Sequence, residues 1–206
     1  MMKTTLAILA TAFSISAVQV SADIPRETAV GDTIPDVSVM TVDKTELKLR
    51  EAVKEKPAVL IFYRGGWCPY CTRHLMALAG IEDELTAAGF QLLAISADKP
   101  EKIAETPNRD KLGYTLLSDS TMEAAKAFGL TFKVPDKTVK EYKDEYQIDL
   151  EAASGQTHHL LPHPAVYIVD QKGTVRFAHV NQDYKDRLDP AFILTTAKEV
   201  AAKKSP

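Results

Sequence analysis

Ala58-Val59-Leu60-Ile61-Phe62-Tyr63-Arg64-Gly65-Gly66-Trp67-Cys68-Pro69-Tyr70-Cys71 is the stretch on which the fold turns. Its first six residues form an unbroken apolar run of the length expected for a strand buried on both faces. Gly65 and Gly66 then let the backbone turn sharply, and Pro69 suits the first turn of a helix. Cys68 and Cys71 therefore open a helix that directly follows a central strand. Backbone N–H groups and the positive end of the helix dipole favour a thiolate over a thiol at that place.

The chain has 206 residues and only these two cysteines. A disulfide scaffold would show several cysteines at long spacings, and a bridge closing so short a loop constrains the unfolded chain little. The pair is therefore read as chemical. A Cys-x-x-Cys beside a strand–helix–strand pattern signals a thioredoxin-like redox motif. The competing reading is half of a zinc site completed by His158, His159 and His163, whose spacing fits a zinc pair poorly.

Outward from this stretch, Leu75, Leu78, Ala79, Ile81 and Leu85 repeat at helical spacing until Gly89. Phe90 to Ser96 reads as a second buried strand, Pro100 to Lys111 as a helix interrupted at Pro107, and Tyr114 to Leu117 as a short strand. Ser120 is the expected N-cap of a helix over Thr121 to Phe128. Residues 130–161 are charged and Tyr-rich, with a helix between Thr138 and Leu150, and read as an insertion or lid. The Lys, Asp and Glu residues from Lys133 to Glu145 suit a solvated face. Ala165 to Val169 and Thr174 to Val180 flank Asp170-Gln171-Lys172-Gly173 as a hairpin, and a last helix starts at Asp189-Pro190. Asp23 to Lys56 should add a short hairpin. The expected fold is a single α/β domain, a mixed central sheet flanked by helices.

Lys3, the apolar run from Leu6 to Val18 and the small residues Val20-Ser21-Ala22 have the order of a secretory signal. The run is too short to cross a bilayer core of ~30 Å. Residues 1–22 are thus expected to be a signal peptide and 23–206 the domain, which places the protein in the periplasm or outside the cell. No stable membrane association is expected. A net charge of −3 argues against nucleic acid as a partner, since that needs a concentrated positive patch.

Beyond the cysteine motif, the chain resembles the peroxiredoxin-like alkyl hydroperoxide reductase/thiol-specific antioxidant (AhpC/TSA) family of the thioredoxin superfamily. The resemblance rests on Gly31-Asp32-Thr33-Ile34-Pro35-Asp36, Phe62-Tyr63, Ile95-Ser96-Ala97-Asp98 and Leu117-Ser118-Asp119. In the family's register Arg64 replaces a proline, Cys68 replaces a threonine, and Cys71 takes the peroxide-attacking position. Where the family carries an arginine the chain has Pro164, the place at which thioredoxin-like reductases hold a cis-proline. The resemblance implies a thioredoxin-like fold and a dithiol cycle that needs no cofactor and no metal. Cys68 and Cys71 are its catalytic pair, supported by Trp67, Arg64, His163 and Pro164, with His163 expected near the sulfurs. Arg176 is a further candidate thiolate neighbour, and His74 is expected at a solvated helix position.

The order of attack stays open. Thioredoxin logic makes Cys68 attack a disulfide, and peroxiredoxin logic makes Cys71 attack a peroxide and become a sulfenic acid. The leading expectation is hydroperoxide reduction with electrons from a thioredoxin-like reductant. The alternatives are a periplasmic protein disulfide reductase or isomerase, acting on a protein disulfide, and a copper-binding thioredoxin-fold chaperone, since soft thiolates suit Cu(I). Export itself predicts that the protein recovered from a secreting bacterium begins at Asp23. N-terminal mass analysis that finds an intact Met1 would refute the leader.

Overall fold

The computed structural model describes residues 26–203, so the expected leader over 1–22 lies outside the described residues. The apolar run is β3 (Ala58–Tyr63), preceded by the hairpin β1 (Ser38–Met40) and β2 (Glu46–Lys48) and by α1 (Leu49–Glu55). After it come α2 (Pro69–Ala79), α3 (Glu82–Ala87), β4 (Gln91–Ser96), α4 (Pro100–Ala104), a 3₁₀ turn at Arg109–Lys111 and β5 (Thr115–Ser118). Next are α5 (Glu123–Ala127), β6 (Thr131–Lys133), α6 (Asp136–Tyr146), α7 (Leu150–Ser154) and β7 (Leu160–Pro162). The hairpin β8 (Ala165–Val169) and β9 (Val175–Val180) and then α8 (Pro190–Ala202) complete the domain.

Seven strands form one mixed sheet in the order β2-β1-β5-β4-β3-β8-β9. β3, β4 and β5 run parallel, and β8 joins β3 antiparallel. Every residue of β3 is buried, as a central strand covered on both faces requires. Its alternation sorts the core into two layers. Ala58, Leu60 and Phe62 pack with α1, α5 and the insertion on one face. Val59, Ile61 and Tyr63 pack with Leu75 and Leu78 of α2, Leu85 of α3 and Ile193 and Ala197 of α8 on the other. Both cysteines belong to this second layer. Among the described residues, no helix is long and apolar enough to cross a membrane.

Three local expectations differ from the structure. The helix expected through Leu85 is two helices, because α2 closes at Gly80, whose N–H bonds to the Ala77 and Leu78 carbonyls; glycine is a poor helix former. The helix expected from Thr121 starts at Glu123, and Ser120 does not cap it. Instead the buried Asp119 accepts from Ala124 N–H at 3.0 Å and Ala125 N–H at 2.7 Å, while Met122 turns through φ 62°. The helix expected from Thr138 to Leu150 is α6 and α7, separated by Gln147 in the left-handed region.

The ends of the 130–161 stretch are joined to one another. β6 and β7 pair antiparallel, Thr131 opposite Pro162 and Lys133 opposite Leu160. His158 fastens the interior of this stretch: its Nε2–H donates to the Ser120 carbonyl at 2.9 Å and its Nδ1 accepts from Leu160 N–H at 2.9 Å. Asp119→Ala removes both acceptors at the start of α5 and should lower stability by about 1–2 kcal/mol. Urea denaturation measures this, and an unchanged midpoint would mean that Asp119 is not the cap.

Candidate active site

The cysteines stand where a strand end, a glycine turn and a helix start meet. Cys68 is the N-cap of α2, in extended conformation, and Pro69 follows in the first turn. Its N–H bonds to the Gly65 carbonyl at 3.2 Å, and its carbonyl receives Thr72 N–H at 3.0 Å. The turn tolerates only glycine at its start. A Cβ on Gly65 would lie 2.2 Å from Trp67 Nε1 and 2.7 Å from Asp98 Oδ1, and one on Gly66 would lie 2.7 Å from Thr106 Oγ1.

Asp98, just beyond β4, holds this turn from below. Its carboxylate accepts from Gly66 N–H at 2.6 Å and from Trp67 Nε1–H at 3.0 Å. The side chain is buried, and burial raises its pKa to about 7 against the opposing effect of those two donors. Trp67 is thereby fixed through its indole N–H. The part Asp98 plays here was not legible beforehand, although Ile95-Ser96-Ala97-Asp98 carries part of the family resemblance.

Cys68 and Cys71 are both free thiols, 2% and 1% exposed. The Cys68 pKa is lowered to about 6, chiefly because the Cys71 thiol donates to it, with Arg64 and Arg187 adding their charge against the cost of burial. Cys71 is pushed well above the ordinary thiol value, first by burial and then by its proximity to Cys68. The direction of both shifts favours negative charge on Cys68 and the proton on Cys71.

Two guanidinium groups supply the positive charge. Arg64 is 3% exposed and lies 4.2 Å from the Tyr184 ring centroid, 5.2 Å from that of Trp67 and 5.4 Å from that of Tyr142. It also donates to the Tyr142 hydroxyl. Cation–π contacts of this kind hold a desolvated guanidinium in place. Tyr142 is in α6, within the run expected to be a solvated face, so one side of that helix turns inward onto the site. Arg187 precedes α8 and donates from Nη2 to Cys71 Sγ at 3.3 Å. Nothing in its local sequence marked Arg187 as a site residue.

Several expectations need correcting. No peptide bond among the described residues is cis, so the one before Pro164 is trans. The backbone around it is also already in use. His163 N–H bonds to the Leu130 carbonyl at 2.8 Å, and the Pro164 carbonyl receives Asn181 N–H at 3.0 Å. His163 itself stacks on Phe132, centroids 4.6 Å apart. Phe132 packs against the first core layer, whereas the sulfurs belong to the second, so His163 is not beside them. Arg176 is committed to Asp170 at 2.6 Å and is no thiolate neighbour. His74 is buried, not solvated, and its Nε2–H donates to the Leu188 carbonyl at 3.1 Å; burial lowers its pKa to about 4. Among the described residues no group of three or more His, Cys, Asp or Glu side chains is placed to hold a metal ion.

A thioredoxin-like sheet with a dithiol at the start of the helix after its central strand defines a thiol-dependent oxidoreductase. The chain belongs to the AhpC/TSA family, whose model matches residues 30–178, and is a peroxiredoxin-class enzyme. It is 27% identical over 171 residues to peroxiredoxin Bcp of Escherichia coli K12, covering 83% of this chain and 96% of that one. Peroxidoxin BcpB from Mycobacterium tuberculosis superposes with a TM-score of 0.64 at 18% identity, covering 86% of this chain and 98% of that one. Reduced Prx3 from Vibrio vulnificus, solved in complex with H2O2, gives a TM-score of 0.66 at 18% identity, covering 82% and 99%.

A Cys68 thiolate held in this way predicts a titration visible in the ultraviolet thiolate absorbance. With the folded pKa lowered to about 6, one thiolate per chain should form as pH rises through about 6. Cys68→Ser should abolish that step and Arg64→Met should move it upward. A wild-type step near the ordinary thiol value would contradict the assignment.

Proposed function

We propose that this protein is an exported peroxidase that reduces hydroperoxides through a Cys68/Cys71 thiol–disulfide cycle. The observation that carries this reading is the near-complete burial of both sulfurs around a single stabilised thiolate. A hydroperoxide is small enough to reach a sulfur in such a site. A folded protein disulfide is not, and the backbone beside Pro164 that would pair with a peptide partner is bonded within the chain. The same features speak against the disulfide reductase or isomerase alternative.

Cys68 is the attacking cysteine in this proposal, although the family register assigns that place to Cys71. The thiolate is the nucleophile, and Cys68 is the sulfur on which the negative charge is stabilised. Its sulfur attacks one peroxide oxygen, an S–O bond forms as the O–O bond breaks, and the other oxygen takes a proton from solvent and leaves as water or an alcohol. Arg64 provides positive charge for the departing oxygen. Cys68 is left as a sulfenic acid, Cys71 condenses with it, and water is released as the disulfide forms. A thioredoxin-like dithiol then returns the pair to the reduced state.

Residues 130–161 act as a lid in this scheme. Tyr142 rests on Arg64 and against Trp67, so admitting the reductant requires this contact to open. The leader over residues 1–22 directs the enzyme to the periplasm or beyond, where it meets peroxides outside the cytoplasm. Separate peroxide titrations of reduced Cys68→Ser and Cys71→Ser test the cycle. Cys71→Ser should accumulate a sulfenic acid at Cys68, and Cys68→Ser should react no faster than a free thiol. Rapid insulin reduction by a wild-type protein whose cysteines ignore peroxide would transfer the assignment to the disulfide reductase.

A further inference from the structure

The family's arginine position holds Pro164, and the matched family stretch ends at residue 178. A guanidinium nevertheless sits on Cys71 Sγ, supplied by Arg187 from outside that stretch. Residues 181–189 connect β9 to α8 and are bound to α2 at three points. Tyr184 meets the Tyr70 ring edge-on with centroids 5.6 Å apart, Arg187 reaches Cys71, and the Leu188 carbonyl accepts from His74. Inside the segment, Asn181 Nδ2 donates to Asp186 Oδ2 at 2.8 Å, and Asp189 accepts from Ala191 N–H at the start of α8. The position of Arg187 is therefore set by both of its flanks.

Arg187 forms no ion pair among the described residues, and its buried Nε has no hydrogen-bond partner. The group its guanidinium does contact is a thiol that must become negative during the cycle. Resting on the peroxidase reading above, we propose that Arg187 is a catalytic residue of the resolving step, donating to Cys71 Sγ and stabilising the negative charge that develops there as it attacks Cys68. In that step the Cys71 S–H bond breaks, an S–S bond forms, and the Cys68 S–O bond breaks. The oxygen leaves with the Cys71 proton and the sulfenic hydrogen as water. The Cys71 sulfur rises from the thiol to the disulfide level as the Cys68 sulfur falls from the sulfenic to the disulfide level, and the two changes balance. The reverse demand arises when a dithiol reductant attacks Cys68 and Cys71 leaves as a thiolate, and the same contact serves it.

Arg64 and Arg187 both lower the Cys68 pKa, and Arg187 in addition contacts the sulfur that resolves. The test is rapid mixing of reduced protein with one equivalent of H2O2. Sulfenic acid is trapped with dimedone and disulfide is followed by mass spectrometry. At a pH well above the Cys68 pKa, where loss of the Arg187 charge no longer changes how much of Cys68 is thiolate, sulfenic acid formation in Arg187→Met should slow less than disulfide formation, which should slow by about 10- to 100-fold, as expected for a lost hydrogen bond to a charged group. Arg187→Lys, which keeps the charge without the planar fork, should fall between. Resolution at the wild-type rate in Arg187→Met overturns the proposal, and so does equal slowing of both steps, the signature of a merely structural role. A second arm needs no peroxide: in Cys68→Ser, the alkylation of Cys71 by iodoacetamide should move to higher pH when Arg187→Met is added, and an unmoved profile overturns the assignment. If wild-type Cys68 ignores peroxide, the peroxidase reading and the resolving role fall together, and this arm then reports only whether Arg187 stabilises the Cys71 thiolate.

Discussion

A negative sulfur inside an apolar layer is the constraint around which the rest of this structure is arranged. Desolvating a charged group costs several kcal/mol even after the protein relaxes. A helix terminus contributes at most about 2 kcal/mol in a partly buried position, which is too little alone. The hydrogen bond donated by the Cys71 thiol does most to hold the charge on Cys68, and nearby guanidinium charge adds to it. Arg64 and Arg187 both lower the pKa of Cys68. Neither is presented on a flexible surface stem. One is wedged among Trp67, Tyr142 and Tyr184, and the other is held in the segment leading into α8.

The insertion has two structural consequences that follow from one another. Its ends pair as β6 and β7, which engages one backbone edge of Leu160–Pro162 within the chain. Its helix α6 then brings Tyr142 over Arg64. A dithiol normally accessible at a helix terminus is thus enclosed by the chain's own aromatic residues. Asp98 opposes this enclosure with a buried carboxylate of its own, tying Gly66 and Trp67 to the sheet. Negative charge on that carboxylate raises the cost of a thiolate on Cys68, so the turn is held at some electrostatic expense to that sulfur.

Period and punctuation made much of the fold readable. The unbroken apolar run of β3, the glycines after it, Pro69 at the start of α2 and the Asp170–Gly173 turn each encode a local conformation. Errors fell where a local signal competed with a contact from elsewhere. Ser120 looked like a cap until Asp119 reached the same helix from the preceding turn. The charged run of α6 reads as a solvated face, because the apolar stripe of Val139, Tyr142 and Tyr146 is thin among the charges and only the core it packs against shows which way it turns.

Cys68, Cys71, Trp67 and Arg64 lie within a few residues of one another, and their proximity could be read from the chain because one strand–turn–helix unit carries them all. That unit and the family it resembles were determined by the sequence itself. The companions of the sulfurs were decided only in three dimensions. Arg187 lies 116 residues from Cys71 and Tyr142 lies 78 from Arg64, and no spacing rule joins residues so far apart. His163 illustrates the converse: it was placed near the sulfurs by its position beside Pro164, yet the sheet separates them. A strand sends neighbouring side chains to opposite faces, and only the packed core decides what each face meets.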